Sequence, residues 1–401
     1  MAAGLKAYFM TAGRPKHRPF VELLFDNGLQ RPDGVETDLG TAIGELRQKD
    51  KRTYESGPYA TSPQPGGNVS TSINANGATA LASFAEEARR RREAPTAPVP
   101  ANAKGPQVPA SGYVLDEIAD GIFWLSDGSY QSMFVVTADG VVAVDAPPTL
   151  GHNILRAIGR VTREPVRHVI YSHHHSDHVG AMSIFPEQAA YYAQRATAQR
   201  LKLLGDPRRP LPTELYDDSL TLELGDHSLR LDYPGPNHSE GNSFIYAPNQ
   251  RVLMLVDVIF PGWVPFSNLS LSAFVPGVLR AHEQALDYQF DHFVGGHVTR
   301  PGTPEDVRVQ QEYLTDLRTT AEAALSGIDL PATMAAIDTS NVWAVFRAYL
   351  DAVAAATADE IVPRWKDRLG GADVFTLPNA WAMAESLRLD LNSLGPFSTV
   401  P

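Results

Sequence analysis

Ser172-His173-His174-His175-Ser176-Asp177-His178 is the stretch of this 401-residue chain on which its reading turns. It follows an apolar run over 166–171 whose β-branched and aromatic content marks a strand. In an extended or looped segment alternate side chains share a side. His173 and His175 can therefore grip one ion while the turn carries Asp177 and His178 towards a second. Histidine runs also occur as tags and solvated loops. This one is internal, is followed by Val179-Gly180-Ala181, and is joined downstream by isolated ligand types at strand ends.

His238 lies in Gly235-Pro236-Asn237-His238-Ser239-Glu240-Gly241-Asn242, a loop after the expected strand 229–233, and supplies a third nitrogen for the first ion. Asp257 ends the apolar strand 252–256. A carboxylate there is costly to bury unless it is paired or bound to metal, which makes it the candidate bridging ligand. His297 follows the strand Phe293-Val294 through Gly295-Gly296, two glycines that let the backbone turn sharply towards a site.

Around this set the texture is that of an α/β protein. Short apolar runs at 122–125, 133–137 and 141–144 are separated by Asp127-Gly128 and Asp139-Gly140, the pattern of a strand meander. Helices are expected at 152–161 and 187–204, and further strands at 220–224 and 244–246. Three regions result: an irregular extension and linker over 1–111, a catalytic core over 112–301, and a helical region over 302–401. The extension holds one expected helix at 79–92 and ends in a segment with Pro95, Pro98, Pro100, Pro106 and Pro109, read as a linker or a strap across another surface. The helical region has candidates at 304–326, 341–357, 360–368 and 379–391. Its stripe of Val342, Val345, Phe346, Tyr349 and Leu350 has to be buried against the core or in a homodimer contact.

Composition removes several classes of function. With 34 Lys and Arg against 46 Asp and Glu the net charge is -12, which argues against nucleic acid or an anionic membrane as partner; the expected partner is a small-molecule substrate. The one basic run, Arg89 to Arg92, is flanked by glutamates and reads as a solvated helix face. The chain has no cysteine, so disulfides, thiolate ligands and cysteine nucleophiles are excluded together, and any metal must sit on His, Asp or Glu. The first twenty residues lack a signal-peptide core and nothing downstream approaches about 18 consecutive apolar residues, so a cytoplasmic location is the expectation.

The order of the ligand types resembles the five-motif pattern of the metallo-β-lactamase superfamily, spread over about 112–301. An opening Asp at a strand end matches Asp145, the HxHxDH signature matches His173 to His178, and the isolated His, bridging Asp and closing His match His238, Asp257 and His297. The resemblance implies an αββα sandwich with two divalent ions at one edge, zinc first, with iron or manganese as alternatives. It implies that His173, His175 and His238 hold one ion, that Asp177, His178 and His297 hold the other, that Asp257 bridges, and that Asp145 orients a ligand from behind. The full histidine and aspartate set looks most like the glyoxalase and lactonase branches. The missing cysteine separates the chain from those β-lactamases that use a thiolate, and His175 from the diiron flavoproteins, which carry Glu there. Acyl-homoserine lactonases have a Tyr three residues after the bridging Asp, where this chain has Phe260.

Two divalent ions about 3.5–4 Å apart can share a water and lower its pKa from about 15.7 towards about 7, giving a hydroxide nucleophile without Ser or Cys. The expected activity is a binuclear metal-dependent hydrolase acting on an ester, lactone, thioester or amide carbonyl, with Asp177 or Asp257 accepting the transferred proton. The alternatives are β-lactam hydrolysis and an iron-dependent oxidoreductase on the same fold. The loop 260–267, with Phe260, Trp263 and Phe266, is the candidate wall of the substrate pocket.

Overall fold

The structure, a computed structural model, describes residues 96–335, 337–393 and 395–397. The expected helix at 79–92, the basic run at 89–92 and the extension up to residue 95 lie outside them.

Two sheets form the centre. The first has seven strands in sequence order: β1 (Val114–Ala119), β2 (Ile122–Ser126), β3 (Gln131–Thr137), β4 (Gly140–Val144), β5 (Val166–Ile170), β6 (Ala190–Gln194) and β7 (Glu214–Tyr216). β1 to β4 pair antiparallel, and β4 to β7 pair parallel through crossovers, the first of them by helix α1 (Asn153–Val161). A four-residue helix α2 (Ser176–Val179) follows β5, and α3 (Arg195–Leu204) follows β6. The second sheet runs β12 (His292–Val294), β11 (Val252–Met254), β10 (Phe244–Ala247), β9 (His227–Asp232), β8 (Ser219–Leu224), with only β11 and β12 parallel.

β2 shows how the layers arise from sequence. All five of its residues are buried, so it lacks the polar alternation of a half-exposed strand. Ile122 and Trp124 join Leu229, Leu231, Ile245 and Met254 between the sheets. Phe123 and Leu125 point the other way, to a core shared with Ile154, Ile158 and Leu201 of the covering helices. On the far side of the second sheet, Phe244, Leu253 and Phe293 pack against helix α4 (Val275–Leu286) and Val307. The order is helix, sheet, sheet, helix: an αββα sandwich.

The chain ends in helices α5 (Pro304–Gly327), α6 (Leu330–Met334), α7 (Val342–Trp365) and α8 (Ala372–Leu389). Tyr313, Leu317, Tyr349, Val353, Trp365 and Met383 form their shared core, which reaches the sandwich through Val264, Leu269 and Val275. Within the expected stripe, Val345, Tyr349 and Leu350 are buried, while Val342 is exposed. No helix among the described residues is long and apolar enough to cross a membrane.

Several elements differ from the sequence reading. The expected helix 187–204 is strand β6 followed by α3, because Ala190–Gln194 lies buried beside β5 and completes the parallel sheet. The two helices expected over 341–368 are one, with Pro363 near its end, and α8 starts seven residues early and runs through Pro378. The carbonyl that Pro378 leaves unpaired is that of the exposed Val374, open to water. Helix α4 has no counterpart in the sequence reading. Its first turn holds Pro276 and Gly277, which look like a loop, yet Pro suits a first helical turn. A Cβ on Gly277 would sit 1.9 Å from Pro236 O, so glycine is what lets the helix meet the loop that carries His238.

The segment before β1 is a strap. Ala103 is buried, and its carbonyl accepts from Trp263 Nε1 (3.0 Å) and Thr299 Oγ1 (2.7 Å). Asn102 Nδ2 donates to Arg368 O (3.1 Å), and Ala97 N to Asp373 Oδ2 (2.7 Å). Trp263 is wedged between this strap and Gly370, where a Cβ would lie 2.6 Å from the indole.

Candidate metal centre

β4 ends at Asp145, whose φ of 60° is left-handed. Its buried carboxylate accepts the Ser172 N–H (2.9 Å) and the Ser172 Oγ–H (2.7 Å), and Ser172 Oγ lies 2.9 Å from His173 Nδ1. With its own proton spent on Asp145, the hydroxyl accepts from His173 Nδ1. That fixes the tautomer and leaves the Nε2 lone pair free to face the site. Burial pushes Asp145 up to about 6. Asp145 thus reaches the ligand set through Ser172.

His173 and His175 follow β5 in extended conformation, and α2 then turns Asp177 and His178 inward. Asn237 and Asn242 tie the His238 loop to the end of the 252–256 segment. Asn237 Oδ1 accepts His238 N–H (2.7 Å) and Asn242 Nδ2 (2.9 Å), and Asn242 Nδ2 also donates to Val256 O (2.9 Å). Gly296 has φ +83°, and a Cβ there would meet Val256 Cγ1 at 2.6 Å. That position admits only glycine, and the turn it makes brings His297 to His178.

The donor atoms fall into two groups, each within 4.8 Å: His173, His175, His238 and Asp257, and Asp177, His178, Asp257 and His297. Asp257 belongs to both, and its oxygens divide between them. Oδ2 is 3.2 Å from His238 Nε2 and 3.4 Å from His173 Nε2, while Oδ1 is 3.0 Å from His297 Nε2 and 3.1 Å from His178 Nε2. His175 Nδ1 is 2.8 Å from His238 Nε2, and Asp177 Oδ2 is 3.6 Å from His178 Nε2. Four donors around an ion at about 2.0–2.2 Å stand roughly 3.4 Å apart, close to these spacings. His173 Nε2 is buried without a hydrogen-bond partner, as a nitrogen kept for a cation would be. The residues fit two metal ions.

Electrostatics separates the groups. Burial holds His173 below its ordinary value and brings His175 down to about 4, so these imidazoles are neutral donors. Burial also opposes charge on His297, but the carboxylates of Asp177 (3.7 Å) and Asp257 (3.0 Å) outweigh this and raise it to about 10. Asp257, which burial alone would push up, is held well below the carboxylate range by His178 and His238.

His174 belongs to neither group. Its carbonyl accepts from Arg209 NH1 (2.9 Å), and its ring lies edge-on to His175. Among the expected pocket residues, Phe260 is buried with its ring 5.9 Å from that of His297. Trp263 is taken up by Ala103 and Gly370, and Phe266, 51% exposed, stacks obliquely on Phe375 at 4.9 Å.

Tyr130, on the turn before β3, is a residue that sequence reasoning missed. Its ring lies 4.6 Å from that of His297 and 5.6 Å from that of His178. Burial, and then Asp177 and Asp257, push the phenol up to about 12, so it stays a donor. Its one sequence signal was the Asp127-Gly128 turn, which places residue 130 at a sheet edge.

This is an αββα protein whose histidine and aspartate donors form two groups that could each hold a metal ion, and residues 126–292 match the family model described as the metallo-beta-lactamase superfamily. Over that core the chain is similar to the metallo-β-lactamase superfamily. It is 29% identical over 203 residues to the 2,4-dinitroanisole O-demethylase subunit alpha of Nocardioides sp., a match that spans 48% of this chain and 61% of that one. It is 23% identical over 201 residues to the acyl-coenzyme A thioesterase MBLAC2 of Homo sapiens, covering 39% and 72%. The chain thus spans less than two thirds of the demethylase subunit. Among solved structures, a metallo-beta-lactamase from Pontibacter korlensis is 19% identical with a TM-score of 0.42, covering 51% of this chain and 99% of its own.

Proposed function

We propose that the chain is a binuclear metal-dependent hydrolase acting on an ester, lactone, thioester or amide carbonyl. The observation that carries this is Asp257, one carboxylate whose two oxygens face two separate donor groups. When bound, a pair of divalent ions, zinc first, would acidify a shared water and polarise a substrate oxygen.

The chain's own residues supply the rest. Asp257 sets the distance between the groups. Asp145 and Ser172 hold His173 in one tautomer. Asp177, with 44% of its side chain exposed, is the most accessible member of the set and the natural acceptor for a proton leaving the nucleophile. Tyr130, its ring 4.6 Å from that of His297, presents an O–H donor at the edge of the second donor group. The buried Phe260 keeps bulk water from the inner side of His297.

A second reading is favoured by the likeness to the O-demethylase subunit: the same donor set would serve cleavage of an aryl methyl ether whose ring carries electron-withdrawing groups. Metal analysis of reconstituted protein, followed by a panel of lactones, aryl esters, thioesters, cephalosporins and nitroaryl methyl ethers, tests both. Two zinc ions per chain and turnover of a carbonyl substrate are expected. Fewer than about one ion per chain would sink the binuclear reading, and turnover of the aryl ether alone would select the second.

A further inference from the structure

Asp257 enters the site from a left-handed backbone, φ 64°, that is uncommon for a non-glycine residue. The three residues after it are held by a single side chain. Val258 O accepts from Gln310 Nε2 (2.8 Å), and Phe260 N–H donates to Gln310 Oε1 (2.7 Å). One amide spans the turn as a neighbouring strand would. Gln310 sits on α5, far along the chain, and is 0% exposed.

Its remaining amide hydrogen points to His282 Nε2 (2.9 Å), and His282 Nδ1 lies 2.8 Å from Val278 O. The circuit has one proton arrangement. A carbonyl only accepts, so His282 Nδ1 carries the ring proton and Nε2 accepts from Gln310. The amide cannot be flipped, because Phe260 offers a donor and Val258 an acceptor. Burial holds His282 neutral, down to about 4. The amide's two donors and its acceptor all have partners within the protein.

We propose that Gln310, outside the donor set and on the C-terminal helical region, is a positioning residue for the metal centre: its amide clasps the turn 258–260, so that Asp257 presents one oxygen to each donor group. The proposal rests on the binuclear reading above. A partner behind a metal ligand typically contributes about ten- to a hundredfold in metal affinity. The clasp also fixes Phe260, whose ring faces His297, so loss of Gln310 bears on the Asp177, His178 and His297 group first.

The test uses the full-length chain loaded with zinc, and in parallel with cobalt(II). Gln310→Leu removes both bonds to the turn. His282→Leu leaves both in place and removes only the support behind them. Each is followed by zinc retention against graded chelator, by the visible spectrum of the cobalt form, and by the melting temperature of the stripped protein. Gln310→Leu is expected to release one zinc at about ten- to a hundredfold lower chelator and to shift the cobalt spectrum. His282→Leu is expected to lower the melting temperature with affinity and spectrum unchanged. If Gln310→Leu does not fold, Gln310→Glu, which keeps an acceptor for Phe260 and loses the donor to Val258, carries the same comparison. A parent with two ions beside a Gln310 variant of unchanged affinity and spectrum overturns the clasp alone, as do equal effects of the 282 and 310 substitutions. A parent that binds fewer than two ions overturns the binuclear reading and the bridging role the clasp serves.

Discussion

A bridging ligand has to aim two lone-pair-bearing atoms in different directions, which an imidazole in one tautomer cannot do and Asp257 can. Asp257→Ala is expected to cut the metal content from two ions to about one and to lower kcat on the order of a hundredfold or more, since charge stabilisation at the reacting centre is lost. His174→Ala should stay within about threefold of the parent in kcat, because what ties His174 down is its backbone carbonyl. Metal analysis and steady-state kinetics on both variants check the pair, and equal damage would show that the cluster is wrongly divided. His297 supplies a pH signature. Its value in the folded, stripped protein, about 10, lies above the ordinary 6.5. Protonated His297 therefore stabilises the metal-free fold fully below about pH 6.5, and that stabilisation is lost as pH rises through 10. Metal must displace the same proton, so metal affinity should climb over the window in which apo stability falls. Melting curves of stripped parent and His297→Asn between those limits check this: the parent should show the steeper loss, and matching slopes would assign the proton elsewhere.

Between Phe266 and Ser272 the chain makes a turn of the wrong hand. Asn268, Leu269, Ser270 and Leu271 all have φ between 52° and 62°, although each L-residue there costs about 1–2 kcal/mol. The buried amide of Asn379, on α8, holds it by accepting Leu269 N–H (2.8 Å) and donating to Pro265 O (2.9 Å). Asn379→Ala leaves both groups buried and unpaired, and should cost about 2–4 kcal/mol in denaturant unfolding. A loss below about 1 kcal/mol would mean that the turn holds itself. Nothing in the sequence marked this element, since left-handed turns are read from glycine and only Asn268 tolerates the conformation. The candidate donors that come together in the structure were legible for the opposite reason: four are crowded into six residues, and His238, Asp257 and His297 follow short apolar strands. Strands β2 to β5 could be read from composition, whereas β6 hid beside a helix, α4 behind Pro276 and Gly277, and Gln310 inside a helical pattern that assigns a polar residue to water. Those positions depend on partners far away in the chain, which periodicity does not carry.

On the scale of the whole molecule, the helical region and the sandwich share one apolar core, with Val264, Leu269 and Val275 packed among Tyr313, Leu317 and Trp365. Truncation near Gly302 would bare those residues and remove Gln310 and Asn379 together, so the shortened chain is expected to run as aggregate in size-exclusion chromatography. A monomeric product as active as the parent on the same ester would make the region dispensable. The joint at Trp263 has a temporal consequence. Its indole N–H is satisfied by Ala103, 160 residues earlier in the chain, and its face by Gly370, whose N–H donates to Gly262 O. During synthesis the strap and the tryptophan leave the ribosome long before residue 370 does, and closing such a span is slow. Sealing of this joint is therefore expected late in folding, and a late change in tryptophan emission during refolding would report it.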